Sequence, residues 1–408
     1  MTTVDTVLAR CAELDAYTCT PRHLERVYLS PEHAAANRAA ARWMREAGLE
    51  TWVDAAGNQW GRRPGPEGSR TLVLGSHLDT VPGAGSYDGM LGVVMAIAVA
   101  ERLRDTPLPF GLDVVGFSDE EGARFGKALL GSSAAAGAWD PDWWDLRDQN
   151  GVTLHQAFVD FGLEPRRVHE AARRPEDVIA YVEAHIEQGP ELEAADRSLG
   201  YVTTIAGARR FRLSTIGEAR HAGGTPYPRR RDALVGAAEL IVEIERIARA
   251  DSTIATVGRI EVAPGAVNVI PGRASFSLDL RAPTDPERDS TWAKIEAAAD
   301  EICERRRLTF EAVETHRAFA APCAPWLQRA VIDGIAVTGD EDPLGIWSRA
   351  GHDAMAMAAV ADIGMLFLRC YDGISHHPDE DVRPIDVARG LDALEATVLA
   401  IAAVRREG

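Results

Sequence analysis

The chain has 408 residues and a formal charge of −18, from 62 acidic against 44 basic side chains. That charge repels phosphate backbones and anionic lipid, so nucleic acid and membranes are set aside as partners. With 46% hydrophobic and 26% charged residues the chain is neither disordered nor fibrous, and at roughly 100–200 residues per domain it should form two domains.

The first fifteen residues, MTTVDTVLARCAELD, have no basic start and no apolar stretch, so no secretory signal is expected. Cys11, Cys19, Cys303, Cys323 and Cys370 form no CxxC pair and are odd in number, which fits free thiols and a cytoplasmic location. Ser30 and Pro31 suit the N-cap and first turn of a helix that runs to Gly48. Thr71–Ser76, Leu112–Ser118, Val178–Glu187 and Gly364–Cys370 are short apolar runs, as in strands buried on both faces. Gly89–Arg104 has helical length and spacing, and its apolar part, Met90 to Ala100, is too short to span a bilayer. Strands alternating with helices predict an α/β domain with a mostly parallel sheet.

A different rhythm follows. Arg210–Glu218 reads as a strand, Arg231–Ala250 as a helix, Ser252–Val262 and Arg273–Ala282 as strands, Asp289–Arg307 as a helix and Leu308–His316 as a strand. This β-α-β-β-α-β order is the split βαβ of ferredoxin-like α+β domains. The expectation is a catalytic domain of residues 1–208 and 323–408, interrupted by an inserted domain of residues 209–322.

Candidate chemistry gathers at the carboxyl ends of the apolar strands, where open α/β sheets place their sites. His77 and Asp79 follow the first strand, and Asp88 follows a glycine-rich loop. Asp119-Glu120-Glu121 follows the second, and His185 and Glu187 end the third. His376-His377-Pro378-Asp379-Glu380 follows the fourth. Taken alone, an HxD pair also suits a polar turn, and adjacent acids also suit a helix N-terminus. Four such clusters on one predicted edge point to a borderline divalent metal such as zinc or manganese. His221, Asn268, Arg281 and the Gly351-His352-Asp353 turn are further polar candidates, each equally at home as a structural residue. No P-loop or GxGxxG follows a strand.

The motifs GSHLDT, YDG, DEEGARF, HIEQGP, HAGGTP, RRDAL, GAVNVIPG, AGHDA and GISHHPDE stand in one order from Ala47 to Glu380. In this the chain resembles the hydantoinase/carbamoylase group of dinuclear zinc amidohydrolases. That group includes N-carbamoyl-L-amino-acid hydrolases, β-ureidopropionases and allantoate amidohydrolases. The resemblance implies a metallopeptidase-like catalytic domain with an inserted lid and dimerisation domain. It implies two divalent ions per subunit, zinc or manganese, with cobalt or nickel tolerated. His77, Asp88 and His185 would hold one ion, and Asp88, Glu121 and His376 the other. Glu120 would be the general base, Asp79 would orient His77, and a metal-bridging hydroxide would attack the ureido carbonyl and so cleave its C–N bond. His221 would stabilise the oxyanion from the partner subunit of a homodimer. Gln188, Asn268, Arg281, Arg349, Gly351 and His352 would contact a small ureido or amide substrate, with Arg281 on its carboxylate.

The Arg369-Cys370 ending and the DEEGARFG and GSYDG surroundings resemble allantoate amidohydrolases, which release ammonia and carbon dioxide. An N-carbamoyl-L-amino acid or β-ureido acid is the alternative, and another ureido or amide compound a further one. Peptide cleavage fits less well, because His185 stands where peptidases more often use an acid. A non-catalytic metal-binding protein would need a lost base or ligand, and Glu120 and all five ligand candidates are present. Arg349 replaces a usual glycine and Tyr227 a usual methionine, and both bear on pocket shape.

Overall fold

The computed structural model describes residues 3–407; residues 1, 2 and 408, which open and close the expected catalytic domain, lie outside the described residues. The chain divides into two compact units. One holds the residues up to Thr203, Pro322–Ile346 and those from Ala350 onward; the other holds Thr204–Ala321 with Trp347–Arg349.

In the first unit, β1 (Glu50–Val53) and β2 (Gln59–Arg63) form an antiparallel hairpin, and β3 (Thr71–His77), β4 (Gly111–Phe117), β5 (Val178–Ile186) and β6 (Leu199–Ile205) follow. Strands β3, β4 and β5 are buried at every position. Their near-continuous apolar sequences reflect cover on both faces. With Asp362–Leu368, β3, β4 and β5 form a parallel centre, while β2 and β6 join it antiparallel. The mainly parallel α/β sheet expected from the sequence is therefore present, with antiparallel edges.

Helix α1 (Val4–Asp15), α2 (Pro31–Glu46) and α3 (Met90–Arg102) flank this sheet. Ser30 caps α2 by accepting the His33 N–H. In α3 every residue from Met90 to Ala100 is buried, as an all-apolar helix must be. Gly92 lets α3 lie on β5: a Cβ there would fall 2.1 Å from the Ala184 carbonyl oxygen. Gly92→Ala should therefore destabilise the fold by about 1–3 kcal/mol despite alanine's better helix propensity. Urea denaturation reads this, and an unchanged midpoint would refute it. Among the described residues no helix is long and apolar enough to cross a membrane.

The second unit is built on an antiparallel sheet. Its strands are β7 (Gly207–Ile216), β9 (Ile254–Thr256), β10 (Ile260–Ala263), β12 (Arg273–Ala282) and β13 (Thr309–Ala318), in the order β10-β12-β7-β13 with β9 also on β12. Strands β8 (Arg220–His221) and β11 (Val269–Ile270) form a separate pair. Helices α4 (Ala233–Ala250) and α5 (Asp285–Arg306) pack Leu240, Ile244, Trp292 and Ile295 against Phe211, Leu213, Phe276 and Leu278. This is the β-α-β-β-α-β order read from the sequence, with two corrections.

Ser252–Val262 is not one strand. Three residues separate Thr256 from Ile260, while two separate their partners Asp279 and Phe276. The extra residue makes a bulge: the Ser277 hydroxyl accepts the N–H groups of Gly258 and Arg259 at 3.2 and 3.1 Å, while the Ser277 N–H still donates to the Arg259 carbonyl. The helix expected from Asp289 begins at Asp285, where the Thr284 side chain caps it and Pro286 fills the first turn.

Candidate metal centre

The four parallel strands end on one edge, and this brings the expected ligands of the first unit together. His77 is the last residue of β3 and His185 the last but one of β5; Glu120 and Glu121 follow β4, and His376 follows Asp362–Leu368. Asp88 lies between β3 and α3 and stands at the middle. Its Oδ1 is 3.6 Å from His77 Nε2 and 3.3 Å from His185 Nε2, while its Oδ2 is 3.1 Å from His376 Nε2. Glu121 Oε1 lies 3.2 Å from the same His376 nitrogen. Within each of the groups His77-Asp88-His185 and Asp88-Glu121-His376, one ligand atom per residue lies within 4.8 Å of the others. Asp88 is common to both.

The donor chemistry fits a cation. His77 Nδ1 lies 3.1 Å from the Asp79 carbonyl and His185 Nδ1 2.9 Å from the Ile186 carbonyl. Each Nδ1 therefore carries the ring proton, and each Nε2 is turned inward as a ligand atom. These two Nε2 atoms lie 3.5 Å apart with Asp88 Oδ1 beside them. Three acceptors facing one another need a positive charge between them. The same demand appears in the titration of the metal-free groups. Burial alone would raise the Asp88 carboxyl, yet His185, His376 and His77 pull it well below the usual range. Hydrogen bonds donated to Asp88 and Glu121 lift the His376 imidazole to about 10.

Glu120 is buried, and burial and the adjacent Glu121 push its carboxyl well above the ordinary value. Asp79 holds this loop: its Oδ1 and Oδ2 accept the N–H groups of Glu120 and Glu121 at 2.9 and 3.1 Å, while Oδ1 is 3.5 Å from His77 Nδ1. Gly351 borders Glu120, since a Cβ there would lie 3.6 Å from Glu120 Oε1. His352 packs edge-on against His185, with ring centroids 4.5 Å apart, and burial keeps it neutral. Gln188 Nε2 donates to Asp88 Oδ2 at 2.8 Å, leaving its buried Oε1 without a hydrogen-bond partner. Gln188 and His376 both have φ of 55°, in the left-handed region that ordinary side chains avoid. Such strain collects at functional sites.

The remaining candidates belong to the second unit. His221 is exposed on β8, and its Nδ1 accepts the Gly224 N–H at 2.9 Å, so Nε2 carries the proton and is a donor. The Asn268 carbonyl accepts the Ala222 N–H, which holds the two loops side by side. Arg281 is already engaged: Nε and Nη2 donate to the Asp279 carboxylate, and Nη1 to the Arg349 carbonyl at 2.6 Å. The Arg349 guanidinium lies over Trp347.

Sequence reasoning gave Glu183 no role. Its two oxygens accept the Ser76 hydroxyl and the Ala354 N–H, which ties the His352 turn to β3. The signal was present, because Glu183 and His185 alternate on one side of β5. Glu187 turns away from the centre and accepts the N–H groups of Glu191 and Leu192. Asp119 is fully buried with both oxygens unpartnered, and burial pushes its carboxyl well above the usual range. Arg369 and Cys370 face away as well: Arg369 binds Asp386 and Asp196, and Cys370 approaches the Gly189 carbonyl.

A family model described as Peptidase family M20/M25/M40 matches residues 73–400. An N-carbamoyl-L-amino acid amidohydrolase of Geobacillus stearothermophilus is 40% identical over 92% of this chain and 93% of its own. An allantoate deiminase of Arabidopsis thaliana is 38% identical over 96% of this chain and 81% of its own. The crystal structure of a hydantoinase/carbamoylase-family amidase from Burkholderia multivorans superposes with a TM-score of 0.89 at 32% identity, covering 98% of each chain.

Proposed function

Because the chain belongs to peptidase family M20/M25/M40, with relatives that are amidohydrolases of carbon–nitrogen bonds, we propose that it hydrolyses the ureido group of a small carboxylate-bearing compound, first of all allantoate. The observation that carries the chemistry is the convergence of His77, His185 and His376 on Asp88, with the buried Glu120 alongside. His77, Asp88 and His185 would hold one divalent ion, and Asp88, Glu121 and His376 a second, zinc or manganese by donor type. When bound, such a pair supplies Lewis-acid polarisation of a carbonyl and acidifies water.

The protein's own groups do the rest. Glu120, whose carboxyl has raised proton affinity, takes a proton from the attacking water and returns it to the leaving nitrogen. The open Oε1 of Gln188 accepts a ureido N–H. Asp79 fixes the Glu120 loop by its two backbone hydrogen bonds. From the second unit, His221 Nε2–H is a donor for the developing oxyanion, supplied across a homodimer, and Asn268, Arg281 and Arg349 serve the substrate. Arg281 is aligned by Asp279 and the Arg349 carbonyl, and its remaining Nη1 and Nη2 N–H groups meet the substrate carboxylate.

What favours allantoate is Arg349, whose carbonyl accepts Arg281 Nη1 while its own guanidinium lies over Trp347, two residues away. A compound with two ureido groups and a carboxylate offers acceptors to both. The second reading, an N-carbamoyl-L-amino acid, is favoured by the 40% identity to the Geobacillus relative. The test is ammonia release from allantoate beside N-carbamoyl-L-amino acids, by protein stripped of metal and reloaded with Mn²⁺ or Zn²⁺. Metal-dependent release from allantoate supports the first reading, and turnover only of a carbamoyl amino acid replaces it with the second. Silence across the panel refutes both.

A further inference from the structure

Glu380 ends the SHHPDE stretch, and the mechanism above gives it no task. It is buried, and among the described residues no cation pairs with it. Its Oε1 accepts two successive backbone N–H groups, those of Tyr87 at 2.8 Å and Asp88 at 3.0 Å. Its Oε2 lies 3.0 Å from the Ser375 hydroxyl, which is itself 2.7 Å from Asp88 Oδ2. One carboxylate therefore grips the backbone of the loop that presents Asp88 and, through Ser375, the loop that presents His376. The two loops are almost 300 residues apart in sequence.

The neighbourhood is shaped to admit this side chain. A Cβ on Gly85 would fall 2.2 Å from Glu380 Cβ, so a larger residue there would displace Glu380. The Glu380 N–H in turn donates to the His377 carbonyl at 3.0 Å, closing the turn that follows His376. Asp79 makes the same kind of paired grip on the amides of Glu120 and Glu121. Two buried carboxylates, each borne on one ligand loop, thus each anchor another ligand loop by consecutive N–H groups.

We infer that Glu380 is a positioning residue that sets the separation of Asp88 and His376, and so governs the affinity of the second cation. This rests on the metal-centre reading above. Glu380 needs no contact with substrate or ion. Its carboxylate fixes the backbone at Asp88, and the Ser375 hydroxyl carries that position to His376. Loss of Oε1 as the acceptor of the Tyr87 and Asp88 N–H groups frees Asp88 to drift from the His376-Glu121 side, while its approach to His77 and His185 is braced by β3 and β5.

The test is Mn²⁺ titration into the stripped full chain, followed by electron paramagnetic resonance and equilibrium dialysis. The parent should bind two equivalents. Glu380→Asp, one methylene shorter, keeps the charge and withdraws both acceptor oxygens from the Tyr87 and Asp88 N–H groups and from Ser375. It should weaken one equivalent by roughly 10–100-fold and leave the other unchanged, as loss of ligand-supporting partners typically does. Activity should return at saturating Mn²⁺, and the melting temperature of the stripped protein should match the parent's. Gly85→Ala, which displaces Glu380 with its charge intact, should weaken the same equivalent. Should Glu380→Asp not fold, Glu380→Ala, which removes both acceptor oxygens, carries the test. A folded Glu380 variant that binds both equivalents as tightly as the parent overturns the inference alone. A lowered melting temperature with unchanged affinity also overturns it, making Glu380 merely structural. A parent that binds no Mn²⁺ or Zn²⁺ overturns the metal reading itself, and the inference with it.

Discussion

Glu120→Gln is expected to lower kcat by roughly 10²–10⁴-fold with KM and metal content unchanged, the usual size of a general acid–base contribution. The substitution preserves volume and keeps the backbone N–H that Asp79 Oδ1 accepts at 2.9 Å, so the loop and its ligand Glu121 stay in place. What it removes is a buried carboxylate beside the ligand groups, placed to shuttle protons. Burial and Glu121 raise its proton affinity, which suits a group that must take a proton from water and then give it up to nitrogen. Steady-state kinetics alongside metal analysis check this. A kcat equal to the parent's would remove Glu120 from the reaction and leave it a structural acid.

Asp88→Asn has an effect of a different kind, because Asp88 belongs to both ligand groups. Neutralising it leaves Oδ1 alone facing His77 and His185 and replaces the Oδ2 that His376 meets at 3.1 Å. On the two-ion reading proposed above, both cations should be lost, and kcat/KM should fall by more than about 100-fold, the upper range for disturbing a ligand's supporting partners. Chelation should have the same consequence in the parent, with recovery on Mn²⁺ or Zn²⁺. A second readout is independent of activity. In the stripped protein Asp88 is the leading cause that lifts His376 to about 10. In Asp88→Asn that imidazole should titrate lower, a downward move visible by NMR. The sign carries to the metal: a raised imidazole pKa means that protons compete with the cation more strongly as pH falls, so the parent should release metal on acidification. An Asp88→Asn protein that retains two equivalents would sink the shared-ligand assignment.

Much of the centre was readable before any fold was known. His77, Glu120-Glu121, His185 and His376 each follow an apolar run, and parallel strands buried on both faces must end on a common edge. Less readable was the role of each acid. Asp79 and Glu187 both sit two residues after a histidine. The Asp79 carboxylate grips the Glu120 loop, while that of Glu187 turns back to satisfy Glu191 and Leu192. Spacing is the same in both pairs, and only the path of the following backbone separates them. The Arg369-Cys370 pair, which stands out in the sequence, lies against Asp386 and Gly189 and makes no contact with the centre's acids.

The edges of the fold were also hard to read. Strands β1 and β2 are short and only partly apolar. Their hairpin depends on Asp54, whose Oδ1 accepts the N–H groups of Ala56 and Asn58. That local turn chemistry carries no helical or strand period to detect. The split of Ser252–Val262 turns on a hydroxyl of β12, Ser277, that no reading of the segment itself includes.

By itself, then, the sequence determined the α/β character of the first unit, the β-α-β-β-α-β order of the second and the residue types at each strand end. These follow from hydrophobic periodicity, turn residues and the ligand preferences of hard and borderline cations, all local or compositional properties. The tertiary structure alone decided how near Asp88 stands to His185 and His376, and that Glu380 holds the Asp88 loop from across nearly the whole chain. Each of these is a distance between groups remote in sequence, and such a distance exists only once the parallel strands have paired and brought their ends to one edge.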